Sequence, residues 1–370
     1  MNQKIMLISE DVSEKIKLAA DEYMIKNPLL VCDSYLLKQP VFEKLTGEFA
    51  HFTVFTDFTP NPRYEEVVNG IRCFKGNTCD GIIAIGGGSA LDVAKCIKLY
   101  YTAPDDVNFL SIQVNGNNLP LFAIPTTAGT GSESTKFAVI YDNGEKQSVN
   151  HDTILPDTAI LIPKLLTTLP LFQKKCTMLD AICHAVESYW SVNSTVESRK
   201  LSAEAIKEIL ECYKDYLDGK ENGFARIIMA ANKAGQAINI TQTTAAHAMC
   251  YKLTTLYGIP HGYAAAICLP QVWKYMQENI DMCCDLRGAA YLNRVLTELG
   301  AVFSKSSMIY SPHTFMDFVK SLNLPDIKGT DADIAILAGS VNQTRLKNNP
   351  VHLSQDVIVG IYRKILERGD

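Results

Sequence analysis

The chain changes period once, near residue 165. Before that point, short β-rich runs alternate with helical patterns: LLVCD (29–33), TVFTDF (53–58), the segment PRYEEVVNGIRCFKG, DGIIAIGGG (80–88) and LFAIPTT (121–127). Alternation of this kind implies βαβ units and a parallel sheet. FAVIYDNGEKQSVN reads as a hairpin turning at Asn143 and Gly144, and a last apolar run, TAILIP, precedes LLTTLP. Thereafter the turn-bounded strands stop and long apolar-periodic segments run on. A length of 370 residues exceeds one ordinary core. The expected fold class is therefore α/β plus all-α, an α/β domain over 1–165 followed by a helical domain over 166–370. With no Gly/Ser-rich linker between them, the domains are expected to share a tight cleft.

Charge and cysteine usage narrow the function classes. Forty acids against 35 basic residues give a net charge of −5 with no basic block, which argues against a nucleic-acid partner. Eleven cysteines are scattered without CxxC pairs, the pattern of reduced core thiols in a cytoplasm. The N-terminal stretch has no apolar h-region, and no later stretch reaches 18 uninterrupted apolar residues. Neither secretion nor a membrane span is expected.

In DGIIAIGGGSALDVAKCIKLYY a buried strand runs through Gly86, Gly87 and Gly88 into a helix beginning near Ser89. Glycines there let backbone amides approach an anion, and the helix N-terminus adds donors and a favourable dipole. A tight structural turn would read the same way. The second loop, PTTAGTGSE, also follows a strand and offers the hydroxyls of Thr126, Thr127, Thr130 and Ser132. Two such loops at strand ends of one sheet point to a dinucleotide. Asp33 ends LLVCD, where a carboxylate either accepts from ribose hydroxyls and repels a 2′-phosphate or caps the next helix.

CTMLDAICHAVESYW places Asp180 and His184 four apart, on one face of an apolar helix. His247 lies in a small-residue helical run that Gly258 and Pro260 should end, and His261 follows that stop. A carboxylate in apolar surroundings is costly unless paired or metal-bound. One carboxylate and three imidazoles with an open position suit Fe²⁺ or Zn²⁺.

The motifs GGGSALDVAK, IPTTAGTGSE, LDAICHAVESYW, AAHAMCY and GIPHG, in this order and spacing, resemble the iron-containing (group III) alcohol dehydrogenases over nearly the whole chain. The resemblance implies a dinucleotide-binding α/β domain, a helical metal-binding domain, an active site in the cleft and a homodimer. On the family pattern Asp180, His184, His247 and His261 match the metal ligands. Gly87, Gly88 and Ser89 match the pyrophosphate loop with Asp92 beside it, and Thr126, Thr127 and Lys146 match cofactor contacts. Asp33 matches the position associated with NAD(H) over NADP(H). There are two departures: Tyr251 stands where the family often has histidine near the nicotinamide, and Met178 where it usually has glycine.

The chemistry so implied is reversible reduction of a small aldehyde to its alcohol, with metal polarisation, hydride from NADH and a proton from water or Tyr251. Within the family, SYWSVNSTVESR and AHAMCYKLTTLYGIPHG look most like phosphonoacetaldehyde reductases. A phosphonate needs cationic partners when buried, and Lys136, Arg199 and Lys252 are the candidates to supply them. The alternatives are a reductase of neutral short-chain aldehydes or diols, an NAD-dependent lyase resembling dehydroquinate synthase, or a non-catalytic dinucleotide binder. The complete Asp-plus-three-His set argues against the last two.

Overall fold

The computed structural model describes residues 3–104, 107–304 and 311–366. The chain divides into two compact units, Met1–Thr127 with Gly131–Thr168, and Ala128–Thr130 with Leu169–Asp370. In the first, the strands are β1 (Lys4–Leu7), β2 (Pro28–Cys32), β3 (Thr53–Phe55), β4 (Gly81–Gly86), β5 (Leu121–Pro125), β6 (Phe137–Asp142), β7 (Glu145–Asn150) and β8 (Thr158–Leu161). Its α-helices are α1 (Val12–Glu22), α2 (Pro40–Thr46), α3 (Tyr64–Gly76) and α4 (Gly88–Tyr100).

Six strands form a sheet in the order β1-β8-β5-β4-β2-β3, every pairing parallel. The hairpin β6–β7 is separate and antiparallel. PLLVC, GIIAIG and LFAIP are buried at every position, as strands covered on both faces must be. Alternate residues serve the two faces. Val31, Ile82, Ala84 and Ala123 join the core with Val67 and Ile71 of α3 and Val93 and Ile97 of α4. Leu30, Ile83, Ile85 and Phe122 join Ile16 and Ala20 of α1 and Leu45 of α2.

With β1 set aside, the order β3-β2-β4-β5-β8 reverses direction between β2 and β4. Ligands of open parallel sheets bind off the carboxyl ends of strands at such a reversal. Asp33 follows β2 there, Gly87 and Gly88 follow β4, and Thr126 follows β5, whose Pro125 pairs in register with Gly86.

The strand runs read from sequence are present, but β1 and α1 lie before the first of them. TVFTDF yields only three strand residues, because β3 is an edge strand with β2 as its one partner.

The second unit is helical among its described residues apart from an isolated bridge between Cys283 and Val351. Its helices are α5 (Leu171–Trp190), α6 (Val196–Leu217), α7 (Glu221–Thr241), α8 (Ala245–Tyr257), α9 (His261–Glu278), α10 (Ala289–Ser304), α11 (Pro312–Ser321), α12 (Asp331–Gly339), α13 (Gln343–Leu346) and α14 (Gln355–Leu366). Every residue of α5 from Met178 to Trp190 is buried. A helix enclosed all round is the centre of its bundle, and α5 packs against α6, α7 and α9. All eleven cysteines are free, and no helix among the described residues is long and apolar enough to cross a membrane.

Candidate active site

Helix α5 presents Asp180, His184 and Glu187 at spacings that share one face, and all three are buried. Helix α8 contributes His247 from its first turn and ends at Gly258; Pro260 then caps α9, whose first residue is His261. The next residue explains how α9 comes so close to α5. A Cβ on Gly262 would stand 2.1 Å from the Cys176 carbonyl oxygen and 2.6 Å from Asp180 Cβ. Only glycine permits that approach.

Glu187, which sequence reasoning missed, holds the arrangement together. Its Oε1 accepts hydrogen bonds from Thr244 Oγ1 at 2.7 Å, Ala246 N at 2.9 Å, Thr244 N at 3.1 Å and His247 N at 3.3 Å. These are donors at the start of α8 that would otherwise be unsatisfied, and a carboxylate suits the positive end of a helix. Its Oε2 is bonded to His247 Nδ1. This fixes the imidazole so that Nε2 faces Asp180 Oδ1 at 3.4 Å. The signal was available: Glu187 lies seven residues after Asp180 and three after His184.

One donor atom each from Asp180, His247 and His261 lies within 4.8 Å of the others. His184 is outside that group but stacks on His247, with ring centroids 4.4 Å apart. Its buried Nδ1 has no hydrogen-bond partner. Burial pushes the Asp180 carboxyl up, yet the His184, His247 and His261 rings outweigh it and hold the group well below the usual carboxylate range. Glu187 is likewise held low against its burial, chiefly by His247. Burial pushes His247 down, but Glu187 and Asp180 overcome it and carry the ring up to about 9, while burial lowers His184. A divalent transition ion fits this donor set, because it would offset the buried Asp180 carboxylate and give the idle His184 nitrogen a partner.

Tyr251 stacks on His261 at 5.2 Å between centroids. Its Oη accepts from Arg345 Nη1 at 2.7 Å, and the guanidinium carbon stands 4.9 Å from the ring centroid. Burial raises the phenol's pKa, with Arg345 opposing, so the hydroxyl keeps its proton at neutral pH. Two of the cations expected to meet an anionic substrate have acidic neighbours. Lys136 pairs with Asp152 at 2.7 Å, and Arg199 lies 3.7 Å from Glu298 and against the Tyr291 ring. Lys252, half-buried, follows Tyr251 on α8. A cation that the structure does bring to this cluster is Arg345, which the sequence did not suggest.

In the first unit the strand-end residues also converge. Asp33 Oδ2 lies 3.2 Å from where a Cβ on Gly86 would stand. The Asp33 carboxylate is exposed and caps no helix, since the short turn at Leu36–Lys38 has no side-chain cap. Thr126 N donates to the Gly86 carbonyl at 3.0 Å, and Thr127 Cγ2 would meet a Cβ on Gly87 at 3.9 Å. Ser89 Oγ accepts from Asn61 N at 3.4 Å. Asp92 is engaged internally: Oδ1 accepts from Ser132 Oγ at 2.9 Å and Oδ2 from Val139 N at 3.0 Å. It therefore positions the second loop, aided by buried Lys95, whose Nζ donates to Ser132, Thr135 and the Phe137 carbonyl. Lys146, on β7, acts electrostatically on Asp92.

Two family models match in tandem: "iron-containing alcohol dehydrogenase" over residues 4–163 and the C-terminal part of the Fe-containing alcohol dehydrogenase family over 175–366. The chain belongs to the iron-containing alcohol dehydrogenase family. It is 31% identical to the probable alcohol dehydrogenase EutG of Escherichia coli, covering 91% of this chain and 87% of that one. It is also 31% identical to phosphonoacetaldehyde reductase of Streptomyces viridochromogenes, over 77% and 76% of the two chains. The sulfoacetaldehyde reductase of Bifidobacterium kashiwanohense, solved in complex with NAD⁺, superposes with a TM-score of 0.88 at 25% identity, covering 99% of this chain and 98% of that one. The protein is thus an oxidoreductase of the alcohol dehydrogenase type, and iron with NAD is the cofactor pair of its family.

The role of Glu187 is open to measurement. Glu187→Gln should keep the helical content but weaken iron or zinc affinity roughly 10- to 100-fold, because the imidazole loses its orienting carboxylate. Competition against a chelator reads this directly; affinity within a factor of about two of wild type would refute the role.

Proposed function

We propose that this protein reduces a small aldehyde bearing an anionic group, with phosphonoacetaldehyde the leading substrate and 2-hydroxyethylphosphonate the product. The observation that carries the reading is the pair of relatives named for two-carbon anionic aldehydes, one aligned over three quarters of this chain and one superposing over almost all of it. Asp180, His184, His247 and His261 would hold the metal. Asp33, Gly87, Gly88, Ser89, Thr126, Thr127 and Lys146 would receive the dinucleotide, with Asp92 fixing the loop beside them.

When bound, the metal supplies Lewis-acid polarisation and the nicotinamide supplies hydride. The chain's own residues do the rest. Glu187 keeps His247 in a single tautomer. The neutral Tyr251 Oη–H is a proton source for the oxygen of the reduced carbonyl. The exposed Asp33 carboxylate meets ribose hydroxyls and repels a 2′-phosphate. A homodimer is proposed on family resemblance, and a cytoplasmic setting on the absence of any disulfide among eleven cysteines.

A neutral short-chain aldehyde is the competing substrate, favoured by 32% identity to the 1-propanol dehydrogenase PduQ of Citrobacter freundii over 67% of this chain and 66% of that one. A panel of phosphonoacetaldehyde, sulfoacetaldehyde, propanal and lactaldehyde with NADH decides between them. The anionic pair should show the higher kcat/KM, and a neutral aldehyde equal to or above both would overturn the proposal. Cofactor choice has its own test. Asp33→Gly should raise kcat/KM with NADPH relative to NADH by about tenfold or more, by removing a like charge from beside the 2′-phosphate. A wild type already indifferent to the two cofactors would contradict this role.

A further inference from the structure

We propose that Gly129 is the positioning residue that couples cofactor binding to the metal centre, so that each ligand tightens the other. The proposal rests on the assignment of Thr126 and Thr127 to the dinucleotide and of Asp180 and His184 to the metal, and it names the device that joins them.

The second cofactor loop leaves its own unit briefly: Thr127 and Gly131 belong to the α/β unit, but Ala128–Thr130 belongs to the helical one. Ala128 is fully buried. At Gly129 the backbone of the loop is pressed onto α5. A Cβ there would stand 2.8 Å from Thr177 Cβ, 2.9 Å from the Thr177 carbonyl oxygen and 3.0 Å from Thr177 Cα. Two of those atoms are main chain and cannot swing aside, so a side chain at this position would drive the loop off the helix. Thr177 lies three residues before Asp180, on the turn that Gly262 presses from α9, where an added Cβ would meet the Cys176 carbonyl and Asp180. Two glycines thus grip one turn of α5. Gly262 seats the helix that begins with His261, and Gly129 seats the loop that follows β5. The loop also lies beside the next proposed ligand. Burial lowers the His184 imidazole, and the Gly129 main chain is among the groups that oppose it.

The loop has little slack on either side of that contact. Before it, Thr126 N donates to the Gly86 carbonyl at 3.0 Å, at the end of β4. After it, Ser132 Oγ donates to Asp92 Oδ1 at 2.9 Å and accepts from Lys95 Nζ at 2.8 Å. Thr127 to Gly131 is all that spans the two anchors. A dinucleotide that fixes Thr126 and Thr127 therefore fixes Gly129, and with it the turn of α5 that presents Asp180. Ordering of Asp180 and His184 acts back along the same path. Whichever ligand binds first removes motion that the second would otherwise have to remove. Coupling of this kind is reciprocal by thermodynamic necessity: the factor by which the cofactor raises metal affinity equals the factor by which the metal raises cofactor affinity.

The test uses the full-length protein, with zinc as the metal probe and NADH as the cofactor. Zinc affinity is measured by chelator competition with and without saturating NADH, and NADH affinity by its fluorescence with and without zinc, in wild type and in G129A. Wild type should show one factor, about fivefold or more, in both directions, and G129A should bring it to within about twofold of unity whatever happens to each affinity alone. A wild-type factor near unity, or a G129A factor equal to that of wild type, would overturn the proposal. Amide hydrogen exchange on wild type requires no variant and decides the matter if G129A fails to fold. Zinc alone should slow exchange across residues 127–131, which include none of the four proposed ligands. NADH alone should slow exchange at 86–89 and at 126–127. If NADH protects these and zinc leaves 127–131 unchanged, the coupling fails and the cofactor assignment survives. If NADH protects neither loop, the cofactor does not bind there, and both the assignment and the proposal fall.

Discussion

One hydrogen-bonded carboxylate organises the helical unit. Glu187 is fully buried in the last turn of α5, where an unpaired charge would cost several kcal/mol after relaxation. The first turn of α8 compensates it with backbone and hydroxyl donors, and His247 compensates it with a ring N–H. The same contacts decide where α8 begins and how the imidazole is turned. Asp180 then sees a fixed Nε2, and His261 is brought in by the glycine contact between α9 and α5. Stability and site geometry therefore share one set of interactions, so the metal would enter a centre already shaped for it.

The α/β unit reaches its site by a different route, through topology. No single residue fixes the positions of Asp33, Gly87 and Thr126. They are neighbours because β2, β4 and β5 are adjacent parallel strands whose ends coincide at the reversal of strand order. The Asp92–Ser132–Lys95 network then ties the second loop to the helix that starts at the first. A dinucleotide site built this way depends on sheet register more than on local bonds, since a slip of one residue would turn each strand-end side chain to the other face.

The parts of this organisation legible in the sequence were those with local periodicity or punctuation. Buried strands announced themselves as continuous apolar runs, the hairpin by Asn143 and Gly144, and the end of α8 by Gly258 and Pro260. The strand β1 gave no such signal, being four residues long with alternate positions exposed and the others only half-buried. Asp180 and His184 stood out as polar residues in an apolar helix; Glu187 obeyed the same spacing but passed for an ordinary helical glutamate. Arg345 was not legible at all. It lies 94 residues from Tyr251 in the chain, on a four-residue helix with no periodicity of its own. For the same reason, the cations suggested by proximity to motifs, Lys136 and Arg199, proved to have acidic partners in space.

The central claim is that the carboxylate and imidazoles gathered around Asp180 form a metal centre. Anomalous diffraction at the iron absorption edge, from crystals of iron-reconstituted protein, tests it most directly. The account predicts one strong peak per chain within bonding distance of Asp180, His184, His247 and His261, with Glu187 bonded to His247 and not to the ion. A peak elsewhere, or none at this cluster in fully reconstituted protein, would contradict it.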